Sequence, residues 1–73
     1  ERLNDMAREY AQKTLESKMA GYISHLSSYE RRIIHQFITS EYPQLASYSV
    51  GEGRDRQLVI DLKENVPSQE PQV

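Results

Sequence analysis

Arg31 and His35 stand four residues apart in the segment Tyr29-Glu30-Arg31-Arg32-Ile33-Ile34-His35, so on a helix their side chains are neighbours. An arginine guanidinium is a planar fork that matches phosphate oxygens. An imidazole can donate to phosphate, and its flat ring can stack on a base. The later segment Ser49-Val50-Gly51-Glu52-Gly53-Arg54-Asp55-Arg56 holds the other ingredients of an anion site. Its glycines admit close approach, successive amides in such a turn can cradle an anion, and two arginines supply charge. Arg31, Arg32, His35, Gly51, Gly53, Arg54 and Arg56 are therefore candidate contacts to a nucleic-acid strand. The commoner uses of the same residues are a solvated helix flank and an ordinary hairpin whose glycines supply positive φ. Glu52 and Asp55 in the loop also oppose phosphate unless they orient the arginines.

Other chemistries find less support. There is no cysteine, the two histidines fall in different elements, and no serine stands in a nucleophile elbow, so no catalytic residue and no enzyme activity is expected. His25 and His35 lack the spacing and carboxylate partners of a zinc site, and Gly-x-x-x-x-Gly-Lys is missing. No metal or cofactor is expected. Tyr22 and Tyr48 could serve as stacking platforms on an open sheet face, but packing in a core or at an edge is the commoner use. They are not counted among the site residues.

The net charge of −2 gives nucleic-acid binding no support by itself. Such domains often carry a basic stripe. Residues 27–58 hold four arginines against four acids, and the negative surplus lies in the first helix and the tail. Phosphate contact must come from a local cluster, and strong non-specific affinity is not expected.

The elements that would position these residues follow from pattern. Seventy-three residues allow one domain with an economical core, and no disulfide can staple it. No apolar run nears the ~20 residues of a membrane span, and no signal-peptide pattern is present. The chain opens without methionine inside a helical pattern and is expected to be a piece of a longer protein. Leu3, Met6, Ala7, Tyr10, Ala11 and Leu15 make residues 1–17 an amphipathic helix whose stripe covers the core. Residues 18–26 alternate as a short strand, a reading that Gly21 weakens. Ser27 and Glu30 form a capping box that starts a second helix, and Pro43 stops it beyond about Ser40. Ile33, Ile34, Phe37 and Ile38 are its apolar face, with Arg31 and His35 half-buried on the shoulder and Arg32 further out. Residues 45–50 and 57–62 read as strands around the turn at 51–56, with Leu58, Ile60 and Leu62 on one side and Gln57, Val59 and Asp61 on the other. The order is α-β-α-β-β. It predicts a small single α+β domain, a three-stranded sheet with two helices packed on one face.

The segment from Tyr29 to His35 resembles the signature of the R-three-H domain, named for its Arg-x-x-x-His spacing. Ser49-x-Gly51-Glu52-Gly53-x-x-Arg56, followed by Leu58-Val59-Ile60, resembles the second block of that family, so the resemblance covers about residues 18–62. The preceding helix is similar to the segment that joins a KH domain to this domain in bacterial Jag-like (SpoIIIJ-associated) RNA-binding proteins. The division implied is a helix at 1–17 leading in from an upstream KH-like domain, an R-three-H domain at 18–63, and a disordered tail at 64–73. The resemblance implies an antiparallel sheet and binding of single-stranded nucleic acid, RNA before DNA. It carries the family's Arg and His onto Arg31 and His35, and its second-block arginine onto Arg56. It further implies a cytoplasmic protein, a small KH-domain protein as partner, and a link to control of cell envelope growth. Val50 stands where Jag-like sequences often carry an acid, and Arg54 adds a base, so the loop is less negative than is usual. The alternative is a protein-interaction or dimerisation module that uses the stripe of the first helix without touching nucleic acid. The oligomeric state is left open.

Overall fold

The computed structural model describes residues 2–66, and most of the expected tail, at 67–73, lies outside the described residues. Helix α1 is Arg2–Ser17, followed by strand β1 (Gly21–Ile23), helix α2 (Ser28–Glu41), and strands β2 (Leu45–Val50) and β3 (Gln57–Leu62). The strands form one antiparallel sheet in the order β1-β3-β2. This is the expected α+β architecture, in the expected order. Lys63–Asn65 form a 3-10 turn that reaches from the expected domain into the first residues of the expected tail.

The core lies between the helices and one face of the sheet. Ala7 and Ala11 of α1, Ile34 and Ile38 of α2, Leu45 of β2, and Leu58, Ile60 and Leu62 of β3 are buried together with Ile23. The α1 stripe is consumed here: Leu3, Met6, Tyr10 and Leu15 pack partly buried against the same cluster. On the outer side of the helix pair, the Arg8 guanidinium sits 5.3 Å from the centre of the Phe37 ring.

Two small residues set how closely α1 approaches the sheet. Thr14 is buried, and its hydroxyl donates to the Ile60 carbonyl at 3.4 Å, giving the buried polar group a partner. A Cβ on Gly21 would stand 3.1 Å from the Tyr10 ring, so the missing side chain is what lets helix and strand meet. Strand β1 is shorter than the alternation at 18–26 suggests. Lys18 and His25 adopt φ of 64° and 63°, and a left-handed residue on either side ends the extended run.

Val59 lies on the side of β3 away from Leu58 and Ile60, as the alternation predicts, and is nonetheless as fully buried as Ile60.

Candidate functional site

The start of α2 is fixed by its own first residues. Ser27 Oγ accepts from the Glu30 amide at 3.1 Å, and Glu30 Oε1 accepts from the Ser27 amide at 2.7 Å. This reciprocal cap closes two of the free amides of the first turn. It also occupies the Glu30 carboxylate, the acid nearest in sequence to Arg31 and Arg32.

Arg31 folds back over that turn. One terminal nitrogen donates to the Leu26 carbonyl at 2.9 Å and the other to Ser28 Oγ at 3.2 Å. Its Nε is buried with no hydrogen-bond partner among the described residues, and the same holds for Arg56 Nε. Both side chains are thus packed up to Nε, and each terminal nitrogen of Arg31, although bonded to the protein, keeps a second N–H for a ligand. Arg32 is exposed and has no ion pair or hydrogen bond among the described residues. Arg31, Arg32 and Arg56, with Ser28, line an open concavity of about 300 Å³. No carboxylate lines it, and the amino end of α2 adds its partial positive charge. An anion with several oxygens is the ligand such a lining can hold.

The hairpin loop delivers Arg56. Gly53–Asp55 form a 3-10 turn in which the Asp55 amide donates to the Glu52 carbonyl at 3.0 Å and the Arg56 amide to the Gly53 carbonyl at 3.3 Å. Gly51 has φ of 87°, and a Cβ there would stand 2.8 Å from the Asp55 carbonyl oxygen. Gly53 has φ of 58°. Both glycines therefore have a conformational job, and two of the loop amides are already committed to the turn itself. The loop's part in the site is to bring in arginines.

Arg54 lies in a second open concavity beside the first, with Arg56, Asp55, His25, Ser24 and Gln57. Gln57 Nε2 donates to Ser24 Oγ at 2.7 Å and ties the start of β3 to the end of β1. Arg56 belongs to both concavities, so a basic strip runs from Arg32 through Arg31 and Arg56 to Arg54 and His25. Sequence reasoning passed over His25, weighing it only as a zinc ligand. The one sequence signal for it was its place just ahead of the Ser27 cap, where the chain must turn.

His35 does not line this strip. Its Nδ1 and the Ser47 Oγ are hydrogen-bonded at 2.5 Å, and it lies in a separate concavity with Thr39, Pro43, Ala46 and Lys63. Burial holds the imidazole below its ordinary range, with an interaction with the Ser47 backbone partly offsetting that. Its side-chain bond to Ser47 pins α2 to β2. The i, i+4 spacing makes Arg31 and His35 neighbours along the helix, yet one packs against the loop ahead of α2 and the other against the sheet.

The chain matches the family model of the R-three-H domain over residues 1–62, a span that takes in α1 as well as the two motif segments. It is also similar to the RNA-binding protein KhpB of Bacillus subtilis (strain 168), at 36% identity over 64 residues. That alignment covers 86% of this chain and 31% of KhpB, so the chain spans less than a third of the length of this relative.

Proposed function

The chain belongs to the R-three-H domain family, and on that premise we propose that it is a single-stranded nucleic-acid-binding module, with RNA as its target, and not an enzyme. The observation that carries this reading is the concavity at the start of α2, where Arg31, Arg32 and Arg56 converge without a carboxylate in a chain whose net charge is −2. Arg31 and Arg56, packed up to Nε, hold phosphate oxygens in fixed geometry, and Arg32 adds a mobile charge. Arg54 and His25 extend the track. The similarity to KhpB, an RNA-binding protein, favours RNA over DNA.

In the same proposal the module is cytoplasmic and works beside a KH-like domain, upstream or in a small separate protein. Two weak sites on one strand gain affinity through effective concentration, so modest binding by this domain suffices. The dimerisation reading relied on the α1 stripe, which is occupied by the core.

The test is an NMR titration with a short single-stranded RNA. Amide shifts should centre on Arg31, Arg32 and residues 53–56, and Arg32→Ala with Arg56→Ala should weaken binding at low salt. Shifts confined to other parts of the surface, or an affinity unchanged in the double variant, would overturn the reading.

A further inference from the structure

The sheet has a second face, turned away from the helices, that the arginine strip does not use. Leu58, Ile60 and Leu62 point to the helices, so Gln57, Val59 and Asp61 point the other way. In the register, Val59 pairs with Tyr22 on β1 and with Tyr48 on β2, so one row across all three strands reads Tyr22, Val59, Tyr48. Val59 is 0% exposed although it lies outside the core cluster that the helices cover, and its cross-strand neighbours in the register are the two tyrosines. Tyr22 itself remains 55% exposed. The Tyr48 phenol is held above its ordinary range by burial first, then by the Asp61 carboxylate and by Tyr22, so the two phenols are within electrostatic reach.

The row next to it joins this face to the basic strip. Val50 pairs with Gln57, and Gln57 bonds to Ser24. Ser24 and Gln57 also line the concavity of His25, Arg54 and Arg56. Two residues along a strand span about 7 Å, so the aromatic row lies one such step from the Gln57 row that borders the arginine concavity. A phenol ring beside guanidinium groups offers a π-face for a base next to donors for its phosphate.

We propose that Tyr22 and Tyr48 form a base-stacking platform for the strand whose phosphates lie along Arg54 and Arg56. This rests on the nucleic-acid reading above. A second copy of the chain fits the face less well. Two tyrosines and Val50, bounded by Asp61 and by the Ser24–Gln57 pair, fall far short of the ~800 Å² per partner of a standard interface. Nucleobases need only the rings, and every base has a π-face, so the platform favours unpaired bases over any one sequence.

The test compares a single-stranded RNA of about eight nucleotides with an abasic ribose-phosphate strand of equal length. The wild-type chain should prefer the base-bearing strand by about tenfold or more, with upfield shifts of the Tyr22 and Tyr48 ring protons. Tyr22→Leu with Tyr48→Leu keeps an apolar cover over Val59 but removes both π-faces, and should bind the two strands alike. Tyr22→Phe with Tyr48→Phe should keep the preference. Where the double leucine variant does not fold, Tyr22→Leu alone carries the test, at a site already half in solvent. A leucine variant that retains the preference overturns the platform. Salt-sensitive binding to the abasic strand with no gain from bases defeats the platform and leaves the arginine reading standing. No binding to either strand defeats both.

Discussion

His35 illustrates how a residue can be read correctly in place and differently in role. Its position on the half-buried shoulder of α2 was legible from the 100° spacing, but its partner was not, because Ser47 comes from a strand twelve residues later in the chain. Its lowered pKa gives a signed expectation. The unfolded chain takes up a proton near the ordinary value of about 6.5, whereas the folded chain resists it to lower pH. The contribution is therefore fully present above the unfolded value and is lost as pH falls through and below it. Between pH 7.5 and 5.5 the melting temperature of the wild type should fall more steeply than that of His35→Gln, and parallel curves would count against the assignment. Arg32 gives the complementary case. It is exposed and unpaired among the described residues, so Arg32→Glu should change stability by no more than about 0.5 kcal/mol while weakening RNA binding severalfold. Arg31 is a poorer probe, since Arg31→Ala also removes its bonds to Leu26 and Ser28.

At the scale of elements, local signals were read well and tertiary ones were not. Ser27 and Glu30 announce the start of α2 within four residues of sequence, and the cap is formed as the pattern requires. Ser27→Ala should cost about 1 kcal/mol in a denaturant titration, and because it loosens the turn that bears Arg31, it should also reduce RNA affinity. Gly21 had the opposite fate. A glycine in an alternating run argues against a strand by propensity alone, yet here it belongs to β1 because the Tyr10 ring occupies the space a side chain would need. Gly21→Val should destabilise the fold by about 1–3 kcal/mol through overpacking, with Tyr10 and Thr14 shifting in the NMR spectrum. Thr14 escaped the periodicity count because it is polar, although it faces the core like Ala7 and Ala11. Alternation put Val59 on the correct face of β3, but its full burial there was not legible, because strand order, and hence which strand is central, is not encoded in alternation.

For the whole molecule, bulk charge and local charge give different forecasts, and a salt titration separates them. The seven acids and five basic residues outside residues 27–58 make the chain net negative, and their repulsion of a strand is screened within about 8–10 Å at ordinary ionic strength. Counterion release depends instead on how many phosphates are actually neutralised, with log affinity falling by about 0.7 per phosphate for each tenfold rise in salt on a single strand. Arg32, Arg54 and Arg56 have no carboxylate partner among the described residues, while Arg31 has both terminal nitrogens engaged with the protein. Two to four contacts then give a slope between roughly −1.4 and −2.8. Arg56 sits where the two concavities meet, so Arg56→Ala should lower the magnitude of the slope by about 0.7 or slightly more, as Arg54 loses its neighbour. The same substitution leaves the buried hydrophobic cluster untouched but removes a packed side-chain stem, so unfolding by denaturant should show a modestly lowered midpoint and no loss of the fold. A slope close to zero in the wild type, or one unaltered by Arg56→Ala, would mean that the strand is held by something other than this arginine strip.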